Sequence, residues 1–218
     1  MTPPPARLDP AGTWAIIPVR GLERAKSRLG GPLDAEERVE LVSRMLRRAI
    51  AAATGSPRVA GTIVVSSDKA ALELARASGA VAVADLDRGL NPALDLARAE
   101  AIGRGATAIV VLPGDLPWLD HDTLDAALGA AADVATGGAP LVALVPDRHG
   151  TGTNVLILAP AEAIDFAFGP GSRAVHAARA AAAAATYLEL GGPLDVDLDT
   201  ADDLVFADGL WPETIDVG

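Results

Sequence analysis

Ala108-Ile109-Val110-Val111-Leu112-Pro113-Gly114-Asp115-Leu116-Pro117 is the stretch that decides the fold. Ile109 to Leu112 is continuously apolar, the pattern of a strand covered on both faces. Two prolines then bracket a single carboxylate just past the strand's end. An acid held there suits Mg²⁺, a hard cation that takes carboxylate oxygen together with substrate phosphates. The competing role for Asp115 is to cap the helix that follows, although Asp120 and Asp122 stand nearer to its start.

Outward from this strand the pattern alternates strand and helix. Upstream, strands are expected at 13–19, 62–66 and 80–84. The first intervening helix opens at Asp34, with Glu37 three residues on in a capping-box arrangement, and stops at Gly55-Ser56-Pro57. Asp68 caps the second helix, at 69–78, and Asn91-Pro92 begins a third that runs to about Arg104. Downstream, a helix near 122–132 precedes strands at 141–145 and 155–158, which are joined by the turn-rich residues 146–154. A helix near 172–185, a strand around 187–190 and a last helix from about Thr200 complete the order. This is a three-layer α/β arrangement with a mostly parallel sheet. Residues 1–12 read as a flexible, proline-rich tail without the apolar core of a signal peptide. Residues 13–209 form one domain, and 210–218 a C-terminal tail.

Half of the 218 residues are apolar but only 3% are aromatic, so Ala, Val and Leu must build the core. There is no cysteine, which excludes disulfides, thiolate metal sites and a cysteine nucleophile. No apolar run is long enough to span a bilayer, and the cytoplasm is the expected compartment. A formal net charge of −11 argues against nucleic acid as a partner. Against that balance, Arg20, Arg24, Lys26 and Arg28 share one loop with a single acid, Glu23, a gathering of cations suited to an anion.

Ligands of open α/β sheets sit beyond the carboxyl ends of the strands. The unusual residues fall there: the loop at 20–33, Ser66-Ser67-Asp68, residues 87–91, and Pro113 to Trp118. Asp195-Val196-Asp197-Leu198-Asp199-Thr200 alternates acid and apolar residues. On a strand that period would place three carboxylates on one face, and a cation would relieve their repulsion. With Asp115 the run makes a paired-acid metal site of the kind used in nucleotidyl transfer. Gly150-Thr151-Gly152-Thr153-Asn154 and Phe168-Gly169-Pro170-Gly171-Ser172 are small-residue loops that let backbone N–H groups approach an anion. The second leads into a helix N-terminus. His121, His149 and His176 lack metal spacing and read as structural or surface residues. Nucleophile-elbow, Walker A and dinucleotide fingerprints are absent.

In order along the chain, Ile17-Pro18-Val19, Lys26-Ser27-Arg28-Leu29, Ser66-Ser67-Asp68, Gly89-Leu90-Asn91, Leu112 to Pro117, Asp147 to Asn154, Phe168 to Ser172 with His176, and Asp197-Leu198-Asp199-Thr200 carry a resemblance. The chain resembles the 2-phospho-L-lactate and phosphoenolpyruvate guanylyltransferases of coenzyme F420 biosynthesis, from about Trp14 to Leu204. The resemblance implies an α/β/α sandwich with a mixed sheet, of the nucleotide-diphospho-sugar transferase, glycosyltransferase-A-like type. It also implies transfer of GMP from GTP to a small phosphorylated carboxylic acid with Mg²⁺, and it allows a homodimer. By the same resemblance Asp115 and Asp199, or Asp197, hold the metal, and Lys26 and Arg28 lie against the triphosphate as catalytic cations. Pro18, Arg20, Ser67, Asp68 and Asn91 lie near the nucleotide, and Thr153, Asn154, Gly169 and Ser172 hold the acid. Arg20 stands where relatives often carry Lys, and Gly114 where Ala is commoner. Molybdopterin and sugar-phosphate nucleotidyltransferases of the same fold usually open with a glycine-rich loop, which Pro18-Val19-Arg20 does not supply. A non-catalytic nucleotide-binding module would have no need of the paired acids.

Overall fold

The computed structural model describes residues 8–22, 34–135 and 138–197. Lys26, Arg28, Asp199 and the helix expected from Thr200 lie outside the described residues. Seven strands form one sheet: β1 (Thr13–Val19), β2 (Gly61–Ser66), β3 (Val81–Ala84), β4 (Ala108–Val111), β5 (Leu141–Pro146), β6 (Thr153–Ala159) and β7 (Thr186–Glu189). Their order across the sheet is β3-β2-β1-β4-β6-β5-β7, which puts β4 in the middle. The helices are α1 (Ala35–Gly55), α2 (Lys69–Ala77), α3 (Leu90–Gly103), α4 (His121–Val134) and α5 (Ser172–Ala182).

β4 shows why the architecture has three layers. Ala108, Val110 and Leu112 enter one apolar cluster with α1, α2 and α4. Ile109 and Val111 enter a second cluster, on the opposite face, with α3 and α5. A strand's period of two sends alternate side chains to opposite faces, so a fully apolar strand needs helices on both. Small side chains let the helices pack closely on the sheet: Ala71 and Ala75 of α2, and Ala97 and Ala101 of α3, are fully buried.

The sheet is parallel except at β6, which runs antiparallel to both β4 and β5. The short connection after β5 leaves room for a hairpin and none for a crossover. Reversing β6 carries its first residues, Thr153 and Asn154, to the same sheet edge at which β1 and β4 end. That edge is also where the order reverses: β2 and β3 extend to one side of β1, and β4 lies on the other. A crevice at this switch point is the usual ligand position in open α/β sheets.

Helix starts follow local rules. Asp34 Oδ1 accepts the backbone N–H groups of Glu36 and Glu37, and the Asp34 N–H donates in return to Glu37 Oε2 at 2.7 Å. Asp120 and Thr123 make the equivalent box at α4. The acidic run at the C-terminal end departs from expectation. Pro193–Asp195 forms a single 3₁₀ turn, and Val196 and Asp197 follow outside any strand, so a one-face strand does not describe this part of the run. Pro193 fixes a backbone angle suited to starting a helical turn, and that local preference overrides the alternation. Among the described residues, no helix is long and apolar enough to cross a membrane.

Candidate active site

A cavity of about 180 Å³ opens at the carboxyl edge, between β1, β4, β6 and α3. Pro18 of β1, Pro113 and Asp115 after β4, Thr153 and Asn154 of β6, and Asp197 share its wall, with Leu90, Leu94 and Phe168 as apolar lining. Residues distant in sequence are thus brought together as the strand-end rule requires.

Asp115 reaches the cavity because β4 stops at a proline. Leu112 still donates its N–H to Ile16 O at 2.9 Å, and Pro113 then has no donor with which to extend the ladder. Capping is the work of Asp120, whose Oδ1 accepts Thr123 N–H at 2.8 Å. Asp115 is therefore not the α4 cap, and its Oδ1 is a buried oxygen. At Gly114 a Cβ would meet only ordinary contacts, 3.7 Å from Ile17 and 4.0 Å from Leu46, so alanine would fit there.

Asp197 arrives by a different route. Asn154, 6% exposed, donates from Nδ2 to the Leu194 carbonyl at 3.1 Å. This bond ties the 3₁₀ turn to the start of β6, three residues before Asp197. Asn154 thus lines the cavity and also holds the segment that delivers the second carboxylate. Asp197, and not Asp195, lines the wall. Among the described residues no group of three or more His, Cys, Asp or Glu forms a metal cage.

The small-residue loops are held from several sides. Asp147, with its carboxyl below the usual range, accepts Thr151 N–H at 2.8 Å. Burial alone would raise that carboxyl, and the backbone N–H groups around it outweigh burial. Gly152 has no room for a side chain, because a Cβ would lie 2.6 Å from Asp147 Oδ2. Asn91 clamps the second loop at two points: its Nδ2 donates to Phe168 O at 3.1 Å, and Phe168 N donates to its Oδ1 at 2.8 Å. Gly169 and Gly171 take φ of 135° and 73°, which L side chains rarely adopt. Two N–H groups at the start of α5 are already bonded, Ser172 to Gly169 O and Arg173 to Thr151 O. The hydroxyls of Thr153 and Ser172 lie 3.1 Å apart at this corner.

Asp68 caps α2 through Oδ1 to Ala70 N and reaches across through Oδ2 to Leu22 N, each at 2.8 Å. It thereby pins the start of the basic loop. Arg20 and Ser67 are exposed at the same edge.

Two arrangements were not legible in the sequence. His176 is fully buried, with Nδ1 3.1 Å from Thr153 Oγ1 and Nε2 accepting Ala167 N–H at 3.0 Å. Its position one helical turn after Ser172 was the available signal. Arg173 makes a two-point contact with Glu189 at 2.9 and 2.7 Å and donates to Gly150 O. That fork joins α5, β7 and the glycine turn, and the Arg173 hydrogen bonds hold the Glu189 carboxyl below its ordinary range.

The chain is similar to known proteins in sequence and in fold. The sequence model described as "Guanylyl transferase CofC like" matches residues 13–207. The phosphoenolpyruvate guanylyltransferase of Sphaerobacter thermophilus is 40% identical over 193 residues, covering 88% of this chain and 90% of the relative. That of Geodermatophilus obscurus is 40% identical over 213 residues, covering 92% of each. In solved structures the fold recurs in a protein assigned to the nucleotide-diphospho-sugar transferases of Desulfovibrio desulfuricans. Its TM-score is 0.72 at 15% identity, over 94% of this chain and 89% of that one. It recurs as well in a nucleotidyl transferase from a Methanothermobacter species, with a TM-score of 0.60 at 19% identity, over 90% and 96% of the two chains. With a strand-end cavity that gathers two carboxylates, the match over residues 13–207 and the relatives at 40% identity place the chain in the guanylyl transferase CofC-like family, as a nucleotidyltransferase.

Proposed function

We propose that the chain transfers GMP from GTP to phosphoenolpyruvate, with 2-phospho-L-lactate as the alternative acceptor, in coenzyme F420 biosynthesis. The observation that carries this reading is the meeting of Asp115, Asp197 and Thr153 in one cavity, in a chain whose relatives are named phosphoenolpyruvate guanylyltransferases.

Two carboxylates at one wall fit Mg²⁺, which is usually held by one or two protein carboxylates and completes its shell with phosphate and water. Asp115 and Asp197 are the described residues that would hold it, and Asp199 is the further candidate. Bound there, it would neutralise phosphate charge as the reaction proceeds.

An oxygen of the acceptor's phosphate forms a bond to the α-phosphorus of GTP. The bond from that phosphorus to the α–β bridging oxygen breaks, and pyrophosphate leaves with the electron pair. The attacking oxygen is already anionic, so no general base is required. The protein's part is alignment and charge neutralisation. Lys26 and Arg28 are assigned to the triphosphate. Pro18, Arg20, Ser67, Asp68 and Asn91 lie towards the nucleotide, and Asp68 also pins the start of the basic loop while Asn91 clamps the Phe168 loop of the acceptor end. Thr153, Ser172, Asn154 and Gly169 form the acceptor end.

The test is direct. Purified protein is incubated with Mg²⁺, each NTP in turn, and phosphoenolpyruvate, 2-phospholactate or 3-phosphoglycerate, with a sugar phosphate in a parallel arm. Pyrophosphate release and a guanylylated acid of the expected mass support the reading. Release with a sugar phosphate, and with none of these acids, would overturn it.

A further inference from the structure

The corner that joins β6 to α5 has a proton arrangement that can be counted. Nε2 of His176 accepts the Ala167 backbone N–H at 3.0 Å. An amide N–H can only donate, so this nitrogen carries no proton. The ring is fully buried, and burial, then the nearby Arg179 charge, pushes its pKa down to about 4. The neutral ring therefore keeps its one proton on Nδ1 and donates it to Thr153 Oγ1 at 3.1 Å.

Thr153 Oγ1 is also 3.1 Å from the hydroxyl of Ser172. Ser172 is 1% exposed, while Thr153 lines the cavity. The buried hydroxyl donates inward to Thr153, whose oxygen then has both lone pairs filled, one by His176 and one by Ser172. Only the Thr153 proton is left, and its free direction is the cavity. Three protons share two internal bonds, so one donor is left over.

We propose that His176 is a positioning residue which makes Thr153 an obligate hydrogen-bond donor, so that this subsite accepts an unprotonated oxyanion and rejects a group that must donate. The inference rests on the proposed function for the identity of the ligand: the oxyanion is a carboxylate or phosphate oxygen of the acceptor acid. The surroundings preserve the arrangement. Phe168 packs edge-on against the imidazole at 5.2 Å, and the Asn91 clamp fixes the Phe168 backbone next to Ala167. With two N–H groups at the start of α5 already bonded, the Thr153 hydroxyl takes on more of the ligand.

The experiment measures both substrate constants in His176→Leu, His176→Asn, Thr153→Val and the His176→Leu/Thr153→Val double variant. Leucine fills the space and removes both ring bonds. Asparagine places an amide N–H near the Nδ1 position and so keeps the donor to Thr153. His176→Leu is expected to raise the acceptor KM by about tenfold or more, the usual worth of a hydrogen bond to a charged group, with the GTP KM within about twofold of the parent. His176→Asn should recover most of that loss. In the Thr153→Val background His176→Leu should add little, because the group it orients is gone. Unchanged acceptor KM in His176→Leu, or a parallel rise in both constants, overturns the inference, because either outcome describes an ordinary core residue. If His176→Leu does not fold, an acceptor KM in His176→Asn as poor as that of Thr153→Val overturns it equally. Parent protein that uses none of the phosphorylated acids sinks the functional reading instead, and the two failures are separate.

Discussion

At the scale of single residues, the site depends on a few groups whose charge or proton matters more than their shape. Asp115→Asn and Asp197→Asn keep shape and remove charge. Each is expected to lower turnover by at least about a hundredfold, a loss of about 3 kcal/mol in transition-state stabilisation. Thermal stability should stay near that of the parent, because α4 is capped by Asp120 and the 3₁₀ turn is held by Asn154. Full activity in both variants at saturating Mg²⁺ would remove the metal assignment. His176 gives a second prediction, with a defined sign. Burial holds its pKa down to about 4 in the folded chain, against the ordinary histidine value of about 6.5 when unfolded. Between those values the unfolded chain binds a proton that the folded one does not. The stability contributed by the neutral ring is complete above pH 6.5 and is lost as pH falls towards 4, by at most about 1.4 kcal/mol per unit. Urea midpoints of parent and His176→Asn from pH 7 to 4.5 isolate this loss. Parallel curves would mean that the buried ring carries no such linkage.

At the scale of elements, the loops around the cavity are held by side-chain pins: Asp68 to Leu22, Asn91 to Phe168, and Asn154 to Leu194. The polar residues read as binding groups therefore also hold the backbone. Asn91→Ala removes both bonds to Phe168 and leaves two backbone groups to find new partners, at a cost of about 1–3 kcal/mol. The expected result is a lower Tm together with a higher acceptor KM, since the Phe168 to Ser172 loop loses its clamp. Hydrogen exchange provides the local check: faster exchange at residues 167–170, with β4 unchanged, is the expected pattern. Equal acceleration across the sheet would mean that the clamp supports the whole fold. The strained glycines belong to the same element. Gly169 and Gly171 let the chain turn between the clamp and α5, in conformations that L side chains rarely adopt.

At the scale of the whole molecule, β4 ties the two apolar layers together. Ile109 is fully buried in the layer with α3 and α5, next to strand residues that face α1 and α4. Ile109→Ala should cost about 2–5 kcal/mol, through lost burial and the cavity left behind. Chemical denaturation measures it, and a loss below 1 kcal/mol would show that the layers collapse around the gap. Much of this was legible beforehand. The unbroken apolar run at 109–112 requires helices on both faces, and Asp34 with Glu37, Asp68 and Asp120 mark helix starts through short-range hydrogen bonds. These features depend on neighbours within about four residues, which the sequence displays directly. Strand-end placement put Asp115 at the ligand edge for the same reason. Three things required the folded chain. The reversal of β6 depends on which strands it pairs with, and it moved Thr153 and Asn154 beside Asp115. The described part of the acidic run gave up its alternation to a 3₁₀ turn, whose Leu194 carbonyl is held by Asn154, forty residues away in sequence, and Asp197 follows it to the wall. The proton order of His176, Thr153 and Ser172 arises only when a helix, a strand and the Ala167 backbone meet. Sequence determined where carboxylates and glycines fall relative to strand ends, because that is local. Tertiary structure alone decided which of them face one another and which way their protons point, because burial and hydrogen-bond partners come from segments far apart in the chain.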